Sequence, residues 1–521
     1  MSRWTETLRQ TLGLAPLALL WATGAATAQP SSLDPSPIPT APTDKPPAAA
    51  PAPAPPPVDA APRATVPGPV QVQSLAALDL FSTGRETGLG MDLWSGSSAD
   101  TARAVIPTLA SKPLSPAFEA LALRVLATAA TAPQGAGDDL DLAAARAKAL
   151  LALGDARAVD SIVERTNGVA NNATLSYAGA EAALILGRDE KACAIGEALA
   201  LDRDTAYWLH LRAYCQAIAG KPDAAQLTAT LADQRSKDPV FARLIGVIIA
   251  GSGDPGAPSL RTGLDYAMTR RLKIDPTAAL PSASRAVARQ IEALQAGAPP
   301  LQGLPATEAD VLAQLKTARS ERGYLDAAKA QKAAIAGLVA SGAPLTAPVQ
   351  LATAALAAGD VMSARTIRAT LTGDGAASPV DLAILDAGIA VASGRPDAQT
   401  LDRLAERGAV ADPKTRARPQ GATAIFAATQ GPMNAQARGE FVRFDLGRSD
   451  PAAKLMALDM AADAGAKGET ALIALWIAEG GGAAGPDPAD RARIVKALAK
   501  AGFADEARAV ALEGLISLQS R

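Results

Sequence analysis

Residues 147–164 read AKALLALGDARAVDSIVE, and residues 180–197 read AEAALILGRDEKACAIGE. The first stretch starts at Ala147 and the second at Ala180, 33 positions later. A third copy, AYCQAIAGKPDAAQLTAT, starts at Ala213, and a fourth, GVIIAGSGDPGAPSLRTG, at Gly246. Gly154, Gly187, Gly220 and Gly253 are therefore evenly spaced, and the pattern returns around Gly323, Gly359, Gly394, Gly447 and Gly502. A small residue stands seven positions before most of these glycines, as at Ala147, Ala180, Ala213, Gly246, Ala352 and Ala387. An alanine follows four or five positions after, as at Ala158, Ala192, Ala225 and Ala364. The glycine ends one helix in a left-handed turn that other residues make only at a cost. A polar residue then starts the next helix. The small positions let the two helices of each hairpin approach closely. A lone hairpin cannot bury its apolar face, so the copies are expected to stack.

The rest of the chain agrees with that reading. Apolar residues recur at three- and four-residue spacing, as in Leu121, Leu123, Val125 and Leu126, and Gly and Pro punctuate every 15 to 20 residues. Of the 521 residues, 49% are hydrophobic but only 3% aromatic, so the core must be built mainly from Ala and Leu. The expectation is an all-α chain, a right-handed α-solenoid of antiparallel helix pairs. Lys+Arg number 50 against 52 Asp+Glu, so net charge offers no reason to expect nucleic acid or an anionic membrane as partner. One His and two Cys exclude most zinc sites built only from protein ligands.

The period near 33 to 35 and the turn G-[DKR]-x-x-x-A resemble tetratricopeptide repeats. Gly359-Asp360 with Ala364, and Gly502 with Ala507, are closest to that family's turn. The likeness is strongest over residues 147–260 and 316–400. The helix positions that hold Trp and Tyr in the family are mostly Ala or Leu here, and the closing Pro is irregular, so the repeats read as degenerate. Through Asp92-Leu93-Trp94-Ser95-Gly96 the chain also resembles exported, Ala-rich helical proteins of alphaproteobacteria.

Residues 1–28 read as a secretory signal peptide. Arg3 and Arg9 charge its start, Leu12 to Ala22 is apolar, and Ala26-Thr27-Ala28 is a small-residue cleavage site, with the cut expected between Ala28 and Gln29. That run is too short to span a bilayer, which takes about 20 residues. Residues 29–70 follow as a Pro/Ala-rich disordered tether, with 15 prolines between Pro30 and Pro69. A helical-repeat array is expected over 71–298, a Pro-rich linker over 299–305, and a second array over 306–521. The address read from this layout is the periplasm, reached by the general secretory route, with no stable membrane insertion of the mature chain.

Cys193 and Cys215 fall at similar heights on adjacent antiparallel helices, because their midpoint is the loop near Asp204. In an oxidising compartment they should form a structural disulfide. No catalytic, cofactor or metal residues are expected. Gly251-Ser252-Gly253-Asp254-Pro255-Gly256 matches a dinucleotide fingerprint, but Pro255 and Pro258 remove amides where the helix should begin. There is no S-x-x-K, no G-x-S-x-G and no Walker loop. The candidate interaction patch is Tyr207, Trp208 and His210 with the basic group Arg270, Arg271 and Lys273. Core filling is the alternative for the aromatic members, and solvated surface for the basic ones.

Three functions remain open on these grounds. The first is a non-enzymatic periplasmic scaffold or adaptor for a protein partner in a cell-envelope machine. The second is a murein- or polysaccharide-modifying enzyme with an unrecognised carboxylate site. The third is a structural spacer. Convergent carboxylates of raised pKa in a pocket would favour the enzyme; a groove without buried carboxylates would favour the scaffold.

Overall fold

The computed structural model describes residues 79–295, 307–372, 377–430, 433–447 and 451–520. The expected signal peptide with its Ala28/Gln29 cleavage site, the tether and the 299–305 linker lie outside the described residues. Those residues are all-helical, with two isolated β-bridges and no strand among them.

An irregular segment from Asp79 leads into α1 (Ala99–Val105) and α2 (Pro116–Ala127). Hairpins follow: α3 (Leu140–Leu153) with α4 (Ala156–Arg165), α5 (Ala173–Ile185) with α6 (Asp189–Ala198), and α7 (Ala206–Ile218) with α8 (Pro222–Arg235). Next come α9 (Pro239–Ala250), α10 (Gly263–Arg271) and α11 (Arg285–Gln295). Past residue 306 are α12 (Glu308–Thr317), α13 (Glu321–Ala330), α14 (Lys332–Ser341), α15 (Pro348–Ala357) and α16 (Val361–Thr370). The chain continues with α17 (Pro379–Ala392), α18 (Ala398–Val410), α19 (Ala417–Gln430) and α20 (Ala435–Phe441). It ends with α21 (Ala452–Asp463), α22 (Lys467–Gly481), α23 (Pro488–Lys500) and α24 (Ala504–Ser520).

The hairpin turns follow from local chemistry. Gly154 ends α3 at φ 98°, and Asp155 accepts the Ala158 amide at 2.9 Å to start α4. Gly359 and Asp360 do the same between α15 and α16, with Ser363 donating at 3.0 Å. Ala147, Ala180, Ala213, Ala352 and Ala387 are all fully buried, where a larger side chain would push the helices apart. Three positions differ from the sequence expectation. Gly447 lies in irregular chain beyond the end of α20 at Phe441 and does not itself end a helix. Gly323 lies inside α13, because Ser320 caps that helix and accepts the Gly323 amide at 3.1 Å. Around Gly253 no second helix begins: α9 ends at Gly251, and residues 251–262 carry no helix. Pro255 and Pro258 cannot donate to a first helical turn, and Gly251, Gly253 and Gly256 all hold positive φ.

The two ends of the described chain meet. Helices α1 and α2 pack on α22, and α2 also packs on α24. Trp94 lies against Gly468, where a Cβ would collide with the indole, and the Gly468 amide donates to the Leu93 carbonyl at 2.8 Å. Thr101 and the Ser98 amide donate to Glu469 at 2.8 and 3.2 Å. The segment Asp92 to Gly96 thus docks the first described residues onto the first turn of α22. Arg146, buried on α3, ties Phe81 to the end of α2 by donating to the carbonyls of Leu126, Thr128 and Phe81 at 2.7, 2.9 and 3.3 Å. Burial lowers its pKa to about 10, which still leaves it charged. One apolar core runs from Phe81 to Leu515 and draws on both sides of the 299–305 segment. The described residues form one compact unit.

The buried carboxylate of Glu513 fastens this closure. It accepts the Ser115 hydroxyl at 2.5 Å, the Ala117 amide at 2.6 Å and Arg491 at 3.0 Å. Glu513→Ala leaves Arg491 charged and buried. Urea denaturation should show a loss of about 3–5 kcal/mol, whereas Asp505→Ala on the exposed side of the same helix should change little.

Candidate functional site

The surface built by α6 to α10 holds the residues that sequence reasoning singled out, and the structure separates their roles. Trp208 is buried in the core formed by α5, α7 and α9. Tyr207 sits edge-on to Trp208, with ring centroids 5.1 Å apart, and its hydroxyl donates to Glu181 at 2.9 Å. His210 stacks on Phe241 with centroids 3.9 Å apart, and partial burial lowers its pKa. It lines a cavity of about 250 Å³ with Asp233 and Asp238. Arg270 pairs with Asp189 at 2.6 Å. Arg271 and Lys273 are exposed. The six residues therefore do not form one surface patch.

Cys193 and Cys215 form a disulfide between α6 and α7, with Cα atoms 5.7 Å apart. It lines an open cleft of about 690 Å³ together with Trp208, Leu211, Arg203 and Arg212. Tying α6 to α7 fixes the joint between two successive hairpins.

Glu181 was not flagged by the sequence reading. It stands on α5 between small residues, in AEAALIL, and that isolated charge in an Ala/Leu helix was the available signal. It accepts the amides of Gly263 at 2.6 Å and Leu264 at 3.3 Å, so it caps α10 and pulls that helix back onto α5. Asp265, also buried, accepts the Ser259 hydroxyl at 2.6 Å. Burial raises the pKa of both carboxylates, despite the donors around each. Neither lines the clefts beside Cys193, His210, Tyr324 or Glu119, so both serve to join α5 to α10.

Another cleft, of about 870 Å³, lies among α12, α13, α15 and the end of α24. Its polar wall includes Arg319, Tyr324 and the pair Arg418–Asp381, 2.7 Å apart. Burial raises the pKa of the Tyr324 hydroxyl, which therefore stays protonated and can serve as a hydrogen-bond donor. Among the described residues, no group of three or more His, Cys, Asp and Glu side chains is placed to hold a metal ion. No helix among them is long and apolar enough to cross a membrane. No protein family, no curated protein and no solved structure matches this chain.

Two outcomes follow from this geometry. Replacing both cysteines with serine should cost about 3 kcal/mol for a loop of this length, read as a lower melting temperature that reductant reproduces in the wild type. Glu181 has a folded-state pKa above its ordinary value of 4.5. Its contribution is therefore fully present below the unfolded value and is lost as pH rises through the folded one. Glu181→Gln should flatten that fall in a series of urea titrations taken upward from mildly acidic pH.

Proposed function

We propose that this protein is a non-enzymatic periplasmic scaffold that binds a protein partner of a cell-envelope machine. Its hairpins are read as degenerate tetratricopeptide-like repeats stacked in a right-handed solenoid. The observation that carries the reading is the apolar outer surface of the third hairpin. On α8, Leu227 and Leu231 lie one turn apart and are 65% and 45% exposed. The adjoining α9 is apolar along most of its length, yet Val247, Ile248 and Ile249 are only half-buried. In the fourth copy of the repeat no helix follows α9 directly. A helical partner segment would find there a surface like the one each hairpin offers the next.

The remaining parts suit that role. A signal peptide over 1–28 would export the chain, and the tether over 29–70 would give the repeats reach at about 3.1 Å per residue. The disulfide fits an oxidising compartment. The enzyme reading draws no support from Glu181 and Asp265, whose carboxylates are taken up by hydrogen bonds inside the fold.

Crosslinking the exported protein in cells, followed by mass spectrometry, should recover one stoichiometric partner whose crosslinks map to α8 and α9. The double variant Leu227→Glu, Leu231→Glu should lose that partner while its melting temperature stays within a degree or two of wild type, since both side chains already face water. Recovery of glycan fragments with no protein would overturn the scaffold reading.

A further inference from the structure

A second cleft, about 510 Å³, opens where α2, α11 and α13 meet. Its floor is Glu119 on α2, whose side chain is 7% exposed. One oxygen of Glu119 accepts from Arg285 at 3.3 Å and from Arg289; the other accepts from Arg322. Three guanidinium groups thus share one carboxylate. Their side chains keep 30%, 33% and 27% exposure, so they are partly desolvated but still open to the cleft.

The charges do not balance at that floor. Other cations in the lining have their own partners: Arg85 pairs with Asp155 at 3.0 Å, and Arg124 pairs with Glu506. At the rim, exposed Lys329 stands near exposed Asp326 and Glu86. The arginine trio carries two positive charges in excess of Glu119, and with Lys329, Asp326 and Glu86 counted the lining keeps one, in a chain whose formal net charge is -2. Like charges held this close repel, and partial desolvation strengthens the repulsion.

Packing holds the trio in place. Gly154, at the end of α3, lies against the arginine stems: a Cβ there would come within 2.6 Å of Arg289 Cδ and 3.1 Å of Arg285 Cγ. Arg285 and Arg289 are four residues apart on α11 and so share a helix face. Arg322 comes from the far side of the 299–305 segment and also donates to the Leu114 carbonyl at 3.4 Å. Among the described residues Arg289 donates to Glu119 alone, from one Nη, which leaves its other N–H groups available.

We infer that this cleft binds a small oxyanion, a phosphate or carboxylate group carried on a polar molecule. The anion head meets the unused guanidinium N–H groups and offsets the excess charge, while the remaining volume takes the group that carries it. Planar guanidinium forks suit both oxyanions. The site is independent of the scaffold reading, since it lies on other helices and needs no protein partner.

The test is calorimetric titration of the purified protein with four probes: inorganic phosphate, acetate, glucose 6-phosphate and glucuronate. Saturable one-to-one binding of a phosphorylated or carboxylated probe is expected, weakening as salt is raised. The stronger of the two sugar probes identifies the source of the oxyanion. Arg289→Gln and Arg322→Gln should each weaken binding by about tenfold, and Arg322→Lys, which keeps the charge but loses the fork, should weaken it less. Arg271→Gln, at an exposed residue that does not line the cleft, should leave it unchanged. Absence of saturable binding by all four probes to the wild type overturns the proposal. So does unchanged affinity in Arg322→Lys, which keeps the inference testable if the glutamine variants do not fold.

Discussion

Glu513 joins two parts of the chain separated by nearly the whole folded length. Its carboxylate takes the Ser115 hydroxyl, the Ala117 amide in the first turn of α2 and the guanidinium of Arg491, all largely out of water. Burying an ion pair is close to break-even against an apolar pair of similar shape, because desolvation cancels most of the attraction. The strength of the closure therefore comes from elsewhere. Ile106, Leu109, Leu114 and Phe118 are all essentially buried in the main apolar core, and each contributes about 1.5–3 kcal/mol. The ion pair selects one register for that apolar contact, since any other placement would leave Arg491 buried without its partner.

Helix α2 is the hub that results. Its first turn is capped by Glu513 and carries Glu119 to the arginine trio, and its last turn carries Arg124 to Glu506 and to the Thr87 carbonyl. Every one of these links reaches a residue distant in sequence. Glycines make room for them: Gly514 and Gly485 lie against Arg491 as Gly154 lies against Arg289 and Arg285. The Ala-rich composition has the same consequence. Small side chains bring helices close, and charged side chains from neighbouring helices then fill the gaps at their ends.

The two electrostatic centres differ in kind. Around Glu513 one carboxylate meets one guanidinium, both its oxygens accept hydrogen bonds, and both side chains are buried, so the site is closed. Around Glu119 one carboxylate meets three guanidinium groups beside an open cleft, so charge is left over. Burial of Glu181 and Asp265 raises their pKa values without giving them access to solvent, which marks them as parts of a joint.

Local pattern was legible in the amino-acid sequence because its causes are local. The left-handed turns at Gly154 and Gly359, the aspartate caps that follow them and the buried alanines seven positions earlier depend on neighbours within one hairpin. The disulfide was legible for the same reason, since adjacent antiparallel helices fix the heights of Cys193 and Cys215. Tyr207 and Trp208 were visible as an aromatic group, but their burial depended on α5 and α9. Only tertiary structure could bring Glu119 to Arg285, Arg289 and Arg322, or Ser115 to Glu513, because no periodicity records a contact across hundreds of residues. Short-range sterics and hydrogen bonds determine each hairpin; long-range burial of charge decides which hairpins meet and where an excess of charge is left facing a cleft.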